Sequence, residues 1–213
     1  LLVLSGLKLD NAGIVKTVAA TLNHSNPVLK DYALRYFEEV KPKNSASLLG
    51  KFLDDPDREI QERAVKLLAR AGETAVAPLL ERAATASRPW QLHAARVLSA
   101  VRGKAALKGL LQMLVSGTDD FNKTVCDLMT PWIREMDAGE QALLYDEVEK
   151  FAAKLDEKQQ RPALVSSVRL LGQLGRPQAR RRLFGFVGRE HHPMLRSHAL
   201  AALTNTALAV AMA

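Results

Sequence analysis

Five histidines, one cysteine and an arginine cluster are the residues of this 213-residue chain that could carry chemistry, and their spacing decides which chemistry. Glu190-His191-His192-Pro193, with His198 nearby, is the densest group of metal-capable side chains. Two zinc ligands on one helix face need an i,i+4 spacing, and no pair among His24, His93, His191, His192 and His198 has it; Cys126 is remote in sequence. Capping and packing at a helix start explain the His-His-Pro stretch instead. A single cysteine excludes an internal disulfide framework and suits a reducing, cytoplasmic compartment. Cys126 sits at an Ala-like helical position in the repeat described below, so it reads as a small buried hydrophobe. No G-x-S-x-G elbow, P-loop or G-x-G-x-x-G fingerprint occurs. No catalytic residue, metal or cofactor is expected, and the chain reads as a non-enzyme.

Charge points to partners. The net charge is +7, and residues 161–213 hold eight Arg, no Lys and one acid, Glu190, which leaves 1–160 balanced at 22 basic and 22 acidic residues. The excess comprises Arg161, Arg169, Arg176, Arg180, Arg181, Arg182, Arg189 and Arg196. Guanidinium forks suit bidentate contacts with phosphate or carboxylate, so Arg176, Arg180, Arg181, Arg182, Arg189 and Arg196 are candidate anion-binding residues. Opposing that reading, residues 135–157 carry eight acids against Lys150 and Lys154, and can neutralise the cluster within the chain. Arg180, Arg181 and Arg182 are consecutive and point around a helix instead of forming a stripe. Phe184-Gly185-Phe186 among them has the composition of a stacking platform for single strands. Leu183, Phe184 and Val187 share a face, however, which predicts core packing.

The elements that must position these residues repeat. Ile60, Ala64, Leu67, Leu68 and Ala71 lie at offsets 0, +4, +7, +8 and +11, one face of a 3.6-residue helix. The same offsets select apolar sets starting at Leu29, Trp90, Phe121, Ala163 and Leu195, so the six starts are separated by 31, 30, 31, 42 and 32 residues. Pro27, Pro56, Pro89, Pro162 and Pro193 precede the stripes, where a first-turn proline sacrifices no hydrogen bond. Gly72, Gly103 and Gly175 follow three of them as left-handed C-terminal residues. A shorter apolar helix precedes each stripe, as in Val76, Leu79, Leu80 and Ala83 or Ala106, Leu110, Leu111 and Leu114. Each copy is therefore a first helix, a turn and a second helix, and a pair that cannot cover its own apolar face must stack on its neighbours. The second helices are placed near 27–40, 57–71, 89–102, 120–133, 161–174 and 193–208 in one domain spanning 1–213. The long step between copies four and five accommodates a first helix capped by Asp137 and Glu140, with Leu144, Val148, Phe151, Ala152 and Leu155 on its apolar face.

DPDREIQERAVKLLARAGETAVAPLLERA, residues 55–83, resembles a HEAT-type repeat in its Asp-Pro, its aliphatic residue with Ala four later, its Leu-Leu, Gly and following Pro-Leu-Leu. The step of about 31 residues is shorter than the ~40–47 usual for that class, and is similar to the compact bacterial variant of phycobilin lyase-like proteins. The resemblance implies an all-α, right-handed α-solenoid of about six helix-turn-helix repeats, its second helices lining a concave face. A HEAT-like hydroxylase family holds di-iron with His-Glu dipeptides, and this chain contains none. HEAT-like DNA glycosylases use a basic groove with aromatic and acidic residues, a cluster with no counterpart here.

On that groove, position +6 of each stripe reads Arg35, Lys66, Arg96, Asp127, Arg169 and Ala201, and position +2 reads Asp31, Glu62, Leu92, Lys123, Val165 and Ser197. Asp31–Arg35 and Glu62–Lys66 are expected i,i+4 ion pairs in the favourable order, and Lys123–Asp127 is the reverse. Arg96 and Arg169 are expected to be unpaired beside Leu92 and Val165. Arg35, Lys66, Leu92, Arg96, Val165 and Arg169 are accordingly the candidate partner-binding residues, for a protein or peptide. Nucleic acid or another polyanion at the Arg-rich repeats is the alternative, and a lyase or chaperone for a prosthetic group follows only from the short repeat. The apolar segment ALAALTNTALAVAMA is interrupted by Thr-Asn-Thr and too short to span a bilayer. Val3, Leu4 and Leu7 match the last turn of a preceding second helix; both ends are apolar and are expected to meet further repeats or another chain.

Overall fold

The periodicity is realised in helices. A computed structural model describes residues 11–42, 45–174 and 176–211, with side chains to Thr204; Val3, Leu4, Leu7, Gly175 and the side chain of Thr206 lie outside the described residues. Among those residues there is no strand. The helices are α1 (Ala12–Thr21), α2 (Pro27–Val40), α3 (Ala46–Leu49, continued by a 3₁₀ turn Gly50–Asp54), α4 (Arg58–Ala71), α5 (Val76–Ala83), α6 (Arg88–Val101), α7 (Gly103–Val115), α8 (Asp119–Glu135), α9 (Ala138–Ala152), α10 (Arg161–Gly172), α11 (Pro177–Gly185) and α12 (Pro193–Ala211). Contacts group the chain into two compact units, one up to Ala106 and the other from Leu107. In the first, each second helix packs on the next, α2 on α4 and α4 on α6. In the second, α10 does the same between α8 and α12 and also receives α9 and α11.

Local sequence sets the helix starts. Asn26, Asp57, Ser87 and Thr118 cap α2, α4, α6 and α8 by accepting the amides of Val28, Glu59, Trp90 and Phe121. Proline stands in the first turn of α2, α6 and α10, but Pro56 lies outside α4. Asp57 is the cap there, and Asp55 instead buries its carboxylate against the Lys30 ammonium at 2.8 Å. The capping box Asp137–Glu140 opens α9 as anticipated. Gly72 ends α4 at φ +64, a region that side chains rarely adopt; α6 is capped instead by Arg102, itself at φ +64, and Gly103, at φ +82, opens α7.

The stripes form the core. Of the residues at offsets 0, +4, +7, +8 and +11, none whose side chain is described is exposed. A further buried row runs at +5 — Leu34, Val65, Ala95, Cys126 and Val168 — and its counterpart in α12, Leu200, is 50% exposed. That row faces along the stack, and so accounts for burial that one helix's moment does not indicate. Polar residues at +1 tie four second helices, α4, α6, α8 and α12, to the chain just before them. Gln61 Nε2 donates to Asp55 O (2.6 Å), Gln91 Nε2 to Ala83 O (2.7 Å), Asn122 Nδ2 to Leu114 O (2.9 Å) and Arg196 Nε to Val187 O (3.3 Å). Carbonyls at a helix C-terminus lack an intrahelical donor, and these side chains supply it.

Candidate partner-binding face

Ion pairs cross between copies more than they run along one helix. Arg63 chelates Glu38 with Nε and Nη2, both at 3.1 Å, and also bonds Asp31 one copy earlier. Arg96 holds both oxygens of Glu62 at 2.7 and 2.8 Å. The hydrogen bond from Arg96 is the main cause that lowers the Glu62 carboxyl below its ordinary value. Arg96 is therefore not an unpaired groove residue, and Glu62 is committed to it instead of Lys66, which is exposed. Asp31–Arg35 does form, at 3.0 Å. Val165 is 0% exposed, because α10 is packed by α8, α9, α11 and α12 and has no free +2 surface. Leu92 is half-buried.

What remains open along the second helices shares repeat positions +2, +3 and +6 in the two units. In the first, Val28, Asp31, Tyr32, Arg35, Glu59 and Arg63 line a depression of about 390 Å³. Val28 is 55% exposed there, and the Arg35 guanidinium lies 6.0 Å from the Tyr32 ring centre. In the second, Lys123, Cys126 and Asp127 of α8, Arg169, Gly172 and Gln173 of α10 and its C-cap, and His198, Ala201 and Ala202 of α12 line a pocket of about 240 Å³. Burial pushes the Cys126 thiol up to about 11, with Arg169 opposing, so the thiol stays protonated and unreactive at neutral pH. Burial, then Arg169, holds His198 below the usual histidine value. A larger pocket of about 470 Å³ lies off this face, at the C-terminal ends of α2 and α4, lined by Phe37, Lys41, Leu49, Leu67 and Arg70 among others.

The basic C-terminal copies are partly neutralised from within. Arg182 Nε bonds Glu149 at 3.0 Å and its guanidinium covers the Phe186 ring at 4.4 Å. Arg176 donates to Ala138 O at 2.7 Å. The extra residues of the long step supply Glu157, which accepts from His191 Nδ1 at 2.8 Å and from the His192 amide at 2.6 Å. Those two bonds, the first foremost, depress the Glu157 carboxyl. The His-His-Pro stretch thus fastens α12 to the preceding loop. Among the described residues no group of three or more His, Cys, Asp or Glu could hold a metal ion. Arg180, Arg181 and Arg189 make no ion pair among the described residues. Phe184, expected in the core, is 63% exposed. Leu183 one step earlier takes the buried face of α11, and a 100° rotation carries Phe184 away from it.

The copies just described have known counterparts. Residues 14–92 match the model of the HEAT-repeat family. That HEAT match runs from within α1 through α2, α3, α4 and α5 to the first turn of α6. No curated protein sequence matches the chain significantly. Among solved structures, an engineered protein from the Northeast Structural Genomics Consortium is 16% identical with a TM-score of 0.44, over 91% of this chain and 96% of that one. A designed armadillo repeat protein in complex with the peptide (KR)4 is 16% identical with a TM-score of 0.45, over 90% and 99%. Among the described residues no helix is long and apolar enough to cross a membrane.

Sequence reasoning missed Arg63, Glu38 and Asp55, whose partners lie 25–32 residues away. Scanning for opposite charges one repeat apart, instead of one turn apart, finds Asp31/Arg63 and Glu62/Arg96 directly.

Proposed function

We propose that this chain is a non-catalytic interaction scaffold that binds a protein or peptide through the face of its second helices. The observation that carries this reading is the recurrence of open depressions at the same +2 and +6 positions, Asp31 and Arg35 in one unit and Lys123, Asp127 and Arg169 in the other. Exposed Val28 and half-buried Tyr32 supply an apolar contact, and exposed Lys66 with the paired charges around them a polar rim, the make-up of a binding patch. The step of about 31 residues alone supports kinship with the lyase-like variant, and the scaffold reading does not need it.

Peptides selected from a random display library against the whole chain test the reading. Arg35→Gln with Lys66→Gln removes two exposed charges from the face, while Lys51→Gln, exposed on a first-helix segment, serves as control. The double variant is expected to weaken selected binders by about tenfold or more, the loss typical of contact residues, with the control unchanged. Equal affinity for all three proteins would show that the binders dock elsewhere.

A second reading rests on one observation, the exposed Phe184 with Arg180 and Arg181 one turn before it on α11. That combination suits a single-stranded polyanion, which stacks on an aromatic ring while its phosphates meet guanidinium groups. Retention on a heparin column and an oligonucleotide affinity falling with salt, by a slope of about −0.7 per phosphate contact, are the expected results. Phe184→Ala should weaken the oligonucleotide more than heparin. Absence of retention at low salt ends this reading.

A further inference from the structure

The pocket at the C-terminal ends of α2 and α4 lies off the second-helix face and has the size of a small-molecule site. Its volume of about 470 Å³ falls within the ~300–1,000 Å³ usual for such sites. Phe37, Leu49 and Leu67, each no more than 7% exposed, supply its apolar lining. Three polar side chains on the same lining are uncommitted. Lys41 and Arg70 are exposed and form no ion pair among the described residues. Ser45 is 9% exposed, and its hydroxyl, still open to solvent, makes no hydrogen bond among those residues. A hydroxyl so nearly enclosed is ordinarily satisfied. The other polar groups there are taken: Glu38 has both oxygens held by Arg63, and the Thr74 hydroxyl donates to Ala71 O at 2.8 Å.

What is left is an inventory of donors, since an ammonium and a guanidinium only donate and a hydroxyl can do so. A guest must therefore bring acceptors on an apolar body. Its charge follows from a balance. The C-termini of α2 and α4 each place about half a negative charge at this end, against the full positive charges of Lys41 and Arg70. The excess is about one positive charge, which a single carboxylate neutralises and a phosphate dianion overshoots. Lys41 also stands at φ 52, a positive value of the kind that Gly72 takes at the end of α4, so a lysine is kept where glycine fits more easily. We propose that this pocket binds a small apolar carboxylic acid, its carboxylate held by Lys41, Arg70 and the Ser45 hydroxyl and its hydrocarbon part lying on Phe37, Leu49 and Leu67. The site is separate from the docking face, and neither reading depends on the other.

The test titrates the ¹⁵N-labelled full chain with octanoate, octanamide, octylammonium and N-acetylleucine at one ionic strength. Octanoate is expected to shift the amides of Phe37, Leu49, Leu67 and Ala71 saturably. It should bind at least about tenfold more tightly than octanamide or octylammonium, the margin of one charge-assisted hydrogen bond. Lys41→Gly removes the charge and suits the left-handed backbone, so it should weaken octanoate about tenfold without lowering the melting temperature. Arg70→Gln should weaken octanoate as much, Ser45→Ala about threefold, and Lys51→Gln, exposed but off the pocket, not at all. Octanamide binding as well as octanoate would overturn the proposal, because the cations would then contribute nothing. Tighter binding of octylammonium would overturn it in favour of a cation at the helix C-termini, and tighter binding of N-acetylleucine in favour of the C-terminal residue of a peptide. Absence of saturable shifts below the micelle-forming concentration would overturn it outright.

Discussion

Leu98→Asp is expected to abolish cooperative melting of the unit that ends at Ala106 and to remove much of its helical circular-dichroism signal. Leu98 is at offset +8 of its stripe and 0% exposed, in α6, which packs on α4, on α5 and on the Gly50–Asp54 turn. Truncating such a residue to Ala costs about 2–5 kcal/mol. An unpaired carboxylate at the same place adds the desolvation penalty of a buried charge. Set against the ~5–15 kcal/mol that holds a domain folded, the sum removes most or all of the margin. Copies stabilise one another through their shared faces, so the loss spreads from α6 to α4 and α2 instead of staying local. Ala100→Asp is the control: it lies two residues away on the exposed side of the same helix and should cost no more than about 0.7 kcal/mol in helix propensity. A Leu98→Asp protein that melts like wild type would refute the assignment of the stripe to the core.

How far that core could be read in advance depends on which neighbour buries a residue. The offsets 0, +4, +7, +8 and +11 mark the face a second helix turns to its own first helix, and amphipathic spacing reveals that face from one helix alone. The +5 row and the +1 clamps look along the stack, and nothing within a single copy shows their burial. Only alignment of the copies does, as Leu34, Val65, Ala95, Cys126, Val168 and Leu200 are all apolar. The groove was harder still. The i,i+4 rule saw Asp31–Arg35, but Arg63 and Arg96 reach across to the preceding copy, where the acceptor lies about one repeat earlier. Val165 failed as a surface residue because α10 packs against helices on several sides, a fact of topology absent from its own sequence. The pocket lined by Arg169 emerged from the same ladder, yet Gln173, which also lines it, is singled out by no periodic pattern.

The +1 clamp offers a sharper test of the stacking than any apolar truncation. Asn122→Asp changes one amide nitrogen to oxygen with almost no change in volume, at a side chain 0% exposed whose Nδ2 donates to Leu114 O at 2.9 Å. The ionised variant sets a carboxylate oxygen against a carbonyl oxygen in a buried place, losing the donor and adding charge. Loss of a buried bond with its partner left unmet costs about 1–3 kcal/mol, and more when the group is charged. Protonation restores a donor, so the folded state should hold the proton far more tightly than the unfolded one, whose carboxyl titrates near 3.9. With the folded pKa raised, the variant should be nearly as stable as wild type below about pH 4, and should lose up to about 1.4 kcal/mol per pH unit between the two pKa values before levelling off. The expected record is therefore a pair of melting curves that agree at acid pH and separate as pH rises through neutrality. Gln91→Glu, which alters the same clamp at a half-buried site bonding Ala83 O, should show the same sign with a smaller separation, because water can reach the carboxylate. A pH-independent deficit in Asn122→Asp would mean that the residue only fills space, and that the second helices are held to their predecessors by apolar contact alone.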